Sequence, residues 1–245
     1  MIGARVDTAS RNNSSSLRRA LGVLDYLASD PAGADLGELS GGLGLPKPTL
    51  LRLLAPLREA RLVEPHGESG RYRLGPQTAR LGQLYLERMD LRAVAAGALK
   101  RLASTCGETA HLGVPDPPWV VYVDKVECAH PVRMVSRIGA RQPMHSTALG
   151  KAWLAHAGEE AVARVIDAGL ERRTPGTITA PSRLREELSR VRATGHAVDD
   201  VENERDIRCV AAPLFDHTRR PVAAVSVAGP DFRLTAARVP ELAEA

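Results

Sequence analysis

From Leu17 onward, apolar residues recur at helical spacing. Leu17, Leu21, Leu24, Leu27 and Ala28 fall on one face of a predicted first helix. The run stops at Ser29-Asp30-Pro31, a turn signal. A second, short helix is predicted over Leu36–Leu43, with Asp35 as its N-cap and Gly41, Gly42 and Gly44 ending it. A third begins at Lys47-Pro48-Thr49 and continues through Leu50, Leu53, Leu54 and Leu57. Pro48 is tolerated in its first turn, where the missing N–H has no partner anyway. Two extended pieces, 62–65 and 71–74, follow around a glycine-bounded hairpin loop at 66–70. Three short helices and a two-stranded wing, in that order, predict a winged helix-turn-helix over 17–75, with the helix-turn-helix itself at about 36–55. Residues 1–16 are polar, rich in Ser and Asn, and are expected to form a disordered tail.

Gly75-Pro76 breaks the pattern. Beyond it Leu81, Leu84, Tyr85, Leu91, Val94, Ala98, Leu99 and Leu102 mark a linker helix over 76–104, either one long helix or two joined near Asp90. Such a helix cannot bury its stripe alone, and a second copy of the chain is the expected partner. From 105 to 245 strands and helices alternate. Strands are predicted at 111–114, 119–124, 133–135, 196–201, 209–215 and 222–227, and helices at 147–157, 159–168, 184–193 and from 236 onward. Strands joined by short loops as well as by helices predict an α+β domain.

Composition narrows the class. Of 245 residues, 44% are hydrophobic and 25% charged, which excludes wholesale disorder, and only 3% are aromatic, so the cores are built from Leu, Val and Ala. The net charge is +4, and 47–73 carries six basic residues (47, 52, 58, 61, 71, 73) against three acidic ones (59, 64, 68), so most of the excess sits in the predicted head. No apolar stretch is long enough for a bilayer, and the first sixteen residues lack the apolar core of a secretion signal. Cys106, Cys128 and Cys209 are odd in number and widely spread, not a disulfide framework. A reduced, cytoplasmic protein without membrane or cofactor is expected.

Four segments carry candidate chemistry. The third helix presents Lys47, Thr49 and Arg52 where a recognition helix meets base edges and phosphates, and the wing adds His66, Arg71 and Arg73. On pattern alone the same module also suits protein contacts. In Arg141–Lys151, Ser146 or Thr147 can cap a helix whose first N–H groups attract a carboxylate; a plain capped helix is the other reading. The run Asp199, Asp200, Glu202, Glu204, Asp206 lacks calcium-loop spacing and reads as a solvated turn between strands. Cys128, His130 and His145 are too scattered to predict a metal, and nothing around Cys209 resembles a nucleophile elbow. No enzyme is predicted.

Taken together these residues resemble the IclR family of bacterial transcriptional regulators, from about Leu17 to the C-terminus. Gly195, Asp199, Glu202, Cys209-Val210-Ala211 and Leu214-Phe215-Asp216 fall at the spacing of its characteristic motif, and Pro143-Met144-His145-Ser146-Thr147-Ala148-Leu149-Gly150-Lys151 looks like its second recurring block. The resemblance implies a DNA-binding domain, a linker helix and, over 105–245, an effector-binding domain with a GAF-like sheet. It implies three partners: double-stranded operator DNA, a small-molecule effector that is commonly an organic acid, and the chain itself as dimer or tetramer. A repressor controlled by a metabolite is expected, with Ala148, Leu149, Asp199, Cys209 and Ser226 as the effector bed. Asp199 would repel an anion unless protonated, so a raised pKa is expected there.

The sequence departs from the family pattern at four positions. Pro48 replaces a common serine, Pro56 lies inside the third helix and is expected to kink it, and Arg61 replaces a usual glycine. Ala228 stands where some members have a second serine, which implies a ligand less polar than a two-carbon acid. The prolines favour the alternative of a metabolite sensor whose N-terminal module contacts protein instead of DNA.

Overall fold

The first helix, α1, runs from Thr8 to Ser29 in a computed structural model that describes residues 8–67, 69–87 and 90–245. The tail expected over 1–16 is corrected accordingly: 1–7 lie outside the described residues, and from Thr8 the chain is helical. No glycine or proline separates Thr8 from Leu17, so nothing stops the leucine-rich helix from extending upstream. Intrachain contacts divide the molecule into two units, with the boundary between residues 88 and 89.

In the first unit α2 (Leu36–Leu43) and α3 (Lys47–Glu59) follow α1, then β1 (Val63–His66), β2 (Arg71–Leu74) and α4 (Pro76–Glu87). Val23 and Leu27 of α1 pack with Leu39, Leu50, Leu54, Leu57 and Val63 into one apolar core. Asp35 caps α2 as expected. Its Oδ1 accepts from the N–H groups of Gly37 at 2.6 Å and Glu38 at 2.9 Å, and Glu38 Oε2 accepts from Asp35 N–H at 2.8 Å. This reciprocal capping box sets the start of α2. Antiparallel β1 and β2 form the wing, and Glu68 of its loop lies outside the described residues. The turn between α1 and α2 presses against β2. Gly33 has φ +72°, and a Cβ there would stand 2.2 Å from the Tyr72 carbonyl oxygen, so no other residue fits.

Pro56 does not break α3, which is helical throughout Lys47–Glu59. The ring removes only the bond to the Arg52 carbonyl, and Leu57 anchors the last turn in the core. Beyond it Arg61 adopts φ +57°, and Leu62 N–H reaches back to the Leu57 carbonyl at 2.9 Å. This is a Schellman closure with arginine at the left-handed position, where a side chain costs about 1–2 kcal/mol. Arg61→Gly is therefore expected to stabilise the first unit by about 0.5–1 kcal/mol, once glycine's own entropy is set against that strain. Both tryptophans, Trp119 and Trp153, lie in the second unit. The gain should thus appear in the circular-dichroism melt without moving the tryptophan-fluorescence transition; an unchanged or lower melt refutes it.

The second unit opens with α5 (Asp90–Cys106); residues 88–89 of the expected linker lie outside the described residues. Then come β3 (Thr109–Asp116), β4 (Trp119–Val126), β5 (Arg141–Pro143), α6 (Ala148–Leu154), α7 (Glu159–Asp167), α8 (Pro181–Thr194), β6 (Ala197–Asp200), β7 (Ile207–Phe215) and β8 (Pro221–Pro230). The strands form one antiparallel sheet in the order β5-β4-β3-β8-β7-β6. Alternation assigns its faces. Val120, Tyr122, Cys209, Ala211, Ala224 and Ala228 join the core with Ala148 and Leu149 of α6 and Leu184, Leu188 and Val191 of α8. Val210 and Val227 point the other way, to Cys106 of α5 and Leu242 of the terminal helix.

Two strand and helix expectations change. Residues 133–135 form no strand; they lie in the irregular segment between β4 and β5, where Val135 is 82% exposed and finds no neighbouring edge to pair with. The C-terminal helix is split into a 3₁₀ turn, Ala236–Arg238, and α9, Val239–Glu244, because Pro240 fits only the first turn of a new helix. No described helix is long and apolar enough to cross a membrane.

Candidate DNA interface and small-molecule site

On α3 the buried positions Leu50, Leu53, Leu54 and Leu57 face the core, while Lys47, Pro48, Leu51, Arg52 and Ala55 are exposed. Thr49 is half-buried. Lys47, Arg52 and the wing residue His66 pair with no described side chain. Arg73, also exposed, forms an ion pair with Glu64 across the wing at 2.7 Å. Arg71 departs from its expected role. Its guanidinium donates to the carbonyls of Ala32 at 3.2 Å and Gly33 at 2.6 Å, and meets Glu38 at 3.0 Å. It ties the wing to the turn before α2, so its charge is spent inside the head.

In the second unit Ala148, Leu149, Asp199, Cys209 and Ser226 all line one small buried void of about 10 Å³, room for roughly one water-sized group. Asp199 lies opposite Cys209 across β6 and β7, and Cys209 opposite Ala228 across β7 and β8, so three positions of neighbouring strands form a row. Thr147 caps α6, its Oγ1 accepting from Gly150 N–H at 3.2 Å. The N–H groups of Ala148 and Leu149 bond to no described residue. Gly150 lets α6 lie this close: a Cβ there would stand 2.3 Å from Met144 Cα. Tyr122, Met134, Thr147, Asn203, Glu204, Ile207 and Ala228 complete the lining. In the sequence Ala228 stands out only as a departure, Thr147 only as a helix cap and Glu204 only within the acidic run, while Tyr122, Met134, Asn203 and Ile207 carry no signal, because they come from separate elements and share no spacing.

The acidic run forms the expected turn between strands, with Asp200 and Asp206 exposed, but two of its carboxylates turn inward. Asp199 is 2% exposed and Glu202 7%. Asp199 Oδ1 accepts from the N–H groups of Glu202 at 2.8 Å and Asn203 at 3.2 Å. Burial nevertheless pushes the Asp199 carboxyl up to about 7, against the downward pull of Lys151 and those N–H groups. Burial likewise raises Glu202 and Glu204, opposed by Lys151 and Arg173 respectively, and raises the Cys209 thiol.

Lys151, also on α6, has no exposed surface. Its ammonium donates to Glu202 Oε1 at 2.5 Å, to the Val198 carbonyl at 2.5 Å and to Glu187 Oε1 at 3.4 Å. Val201 adopts φ +58°, a strained conformation for a β-branched residue. Thr174 and Thr177 hold the turn by donating to the carbonyls of Val201 and Glu202, each at 2.7 Å, and Ser146 donates to Asn203 Oδ1 at 3.0 Å.

A larger groove of about 480 Å³ lies on the opposite face of the sheet, between α5, β7, β8 and α9. Its walls are almost wholly apolar, and the side chain of Ser226, by alternation with Ala224 and Ala228, belongs to the other face. The polar groups converge on the small void, which is therefore the candidate site.

A winged helix-turn-helix head beside an α+β domain with a polar-lined internal cavity defines a two-domain DNA-binding regulator. Residues 16–67 match the IclR helix-turn-helix domain and residues 83–245 match the C-terminal domain of bacterial IclR transcriptional regulators. The chain belongs to the IclR family. It is 36% identical over 229 residues to the transcriptional repressor IclR of Escherichia coli, covering 92% of this chain and 84% of that one. The IclR structure from Thermotoga maritima superposes with a TM-score of 0.68 at 33% identity, covering 94% of both chains. An IclR homologue from Microbacterium hydrocarbonoxydans, complexed with 4-hydroxybenzoate, gives a TM-score of 0.73 at 27% identity, covering 94% of this chain and 96% of that one. The chain is thus a DNA-binding transcriptional regulator and not an enzyme, and the alternative of a head that does not read DNA falls away.

Proposed function

We propose that the protein is a repressor whose hold on operator DNA is controlled by a small organic acid bound between α6 and the inner face of the sheet. The observation that carries this is the convergence on one void of the five residues Ala148, Leu149, Asp199, Cys209 and Ser226, from four separate elements. Unpaired N–H groups at the start of α6 suit a carboxylate, and protonated Asp199 becomes a donor to it instead of a repelling charge. The void must widen to admit an organic acid. Met134, on the irregular segment between β4 and β5, is the wall best suited to yield, since an unbranched thioether repacks readily. The ligand-bound Microbacterium relative supports an acid of this kind.

Lys47, Thr49, Arg52, His66 and Arg73 are the proposed DNA contacts; Arg71 positions the wing. Leu17 and Leu21 on α1 and Leu81, Leu84 and Tyr85 on α4 are exposed large apolar residues, a surface that suits a second copy of the chain. Ligand and operator then couple reciprocally, by about 1–3 kcal/mol or 5–150-fold in affinity.

The test is fluorescence anisotropy on DNA from upstream of the protein's own gene, against a scrambled duplex at two salt concentrations. The native fragment should be preferred at the higher salt, and a panel of acids that includes 4-hydroxybenzoate should contain one that changes that affinity. Arg52→Ala is expected to weaken operator binding about tenfold or more, the weight of a base contact, while acid binding measured by calorimetry stays unchanged. Unaltered operator affinity in that variant removes Arg52 from the interface, and failure of every acid to bind removes the proposed site.

A further inference from the structure

Helix α3 carries more on its open side than cations. Pro48, Leu51, Arg52 and Ala55 recur at the i, i+3, i+4, i+7 spacing of one helical face, and all are exposed. Leu51 keeps 49% of its surface, although the rest of the helix places its leucines in the core. A single exposed leucine needs no explanation by itself. This one lies on the face proposed above to meet DNA, flanked by Lys47 and Arg52 and bordered by the methyl and ring carbons of Ala55 and Pro48. A second copy of the chain does not suit this stripe, because self-association would bring Lys47, Arg52 and Arg58 against their own counterparts. A polyanion does suit it.

We propose that Leu51 is a specificity residue that packs against the C5-methyl of a thymine in the major groove of the operator. Its isobutyl group can neither donate nor accept a hydrogen bond. Among the base edges exposed in the major groove, the thymine methyl is the one apolar group it can cover. Lys47 and Arg52 then supply phosphate or guanine contacts on either side, and the proline and alanine let the helix approach closely. The inference rests on α3 being the reading helix, and not on the identity of the effector.

The probe is a duplex selected by the full-length protein from a random-sequence pool, with each thymine replaced in turn by deoxyuridine, which deletes only the methyl. At one or two positions the replacement should weaken binding about fourfold, the weight of one buried methyl group. In Leu51→Ala those same positions should become insensitive, while binding to scrambled DNA and its salt dependence remain those of the unmodified protein. The exposed position makes the variant's melting temperature a fair control for folding. A flat uracil scan with the unmodified protein overturns the proposal, as does a scan that Leu51→Ala leaves unchanged, or equal weakening on selected and scrambled DNA. Arg52→Ala separates this failure from that of the reading helix: if Arg52→Ala loses sequence preference while the uracil scan is flat, Leu51 alone is wrong, and if no sequence is selected at all, both fall.

Discussion

Lys151→Met lowers the stability of the C-terminal domain by about 3–5 kcal/mol, the cost of removing one partner from a buried ion pair. The ammonium has no exposed surface and three acceptors around it, two of them the carboxylates of Glu202 and Glu187. Glu202 is itself buried, and its Oε2 finds no partner among the described residues. Without the lysine its charge stands uncompensated in the domain interior. The neutral acid is the way out, so the penalty should shrink as the pH falls and Glu202 takes a proton. A double variant, Lys151→Met with Glu202→Gln, should recover part of the loss, since no unpaired charge is then left behind. Urea denaturation followed by tryptophan fluorescence reads the effect on this domain alone. A shift below about 1 kcal/mol, or a double variant no better than the single one, would mean that the pair is not buried as the structure has it.

Lys151 also marks where sequence reasoning stopped. Nothing in a string of residues says that a lysine is buried; its type argues for the surface, and only the closeness of α6 to the turn after β6 takes it inside. The residue types of Asp199 and Glu202 likewise argue for solvent, and only the family resemblance points Asp199 toward the interior. Elements held by local physics were legible: the leucine periodicity of α1 and α3, the Asp35 cap, the glycine-bounded wing and the arginine in a glycine's place. The segment between β4 and β5 misled because Arg133-Met134-Val135 has strand composition, while pairing depends on an edge that no local signal describes. Arg71 looked like a phosphate contact by its place on the wing, and its actual partners, Ala32, Gly33 and Glu38, lie more than thirty positions away. The five effector positions came from family resemblance, not from spacing, and the cavity residues contributed by Tyr122, Met134, Asn203, Glu204 and Ile207 depend on how the sheet and α6 come together.

Asp199→Asn should remove a pH dependence from both stability and ligand affinity. In the folded protein the Asp199 carboxyl titrates at about 7, against an ordinary 3.8, because burial disfavours its charge. Below pH 3.8 both folded and unfolded chains hold the proton, and the side chain's contribution is fully present. Between 3.8 and about 7 only the folded chain holds it, so stability is lost as the pH rises, in total on the order of 4 kcal/mol, and above 7 the loss is complete. His111 acts in the opposite sense: burial lowers it to about 4, so the stability it contributes above pH 6.5 is lost as the pH falls. The unmodified protein's profile is therefore blunted, and only the difference between it and Asp199→Asn isolates this carboxyl. Asparagine keeps the oxygen that accepts from Glu202 and Asn203, so the variant should be the more stable protein at pH 8, with the advantage shrinking toward zero as the pH falls to 4. For an organic acid bound at α6, affinity for the unmodified protein should fall up to tenfold per pH unit above 7, as the donor proton on Asp199 is lost and a repelling charge appears. Affinity for Asp199→Asn should stay level over the same range. Calorimetric titrations at pH 6, 7 and 8 with both proteins decide it: parallel curves would mean that Asp199 carries its charge at neutral pH and that an anion binds elsewhere.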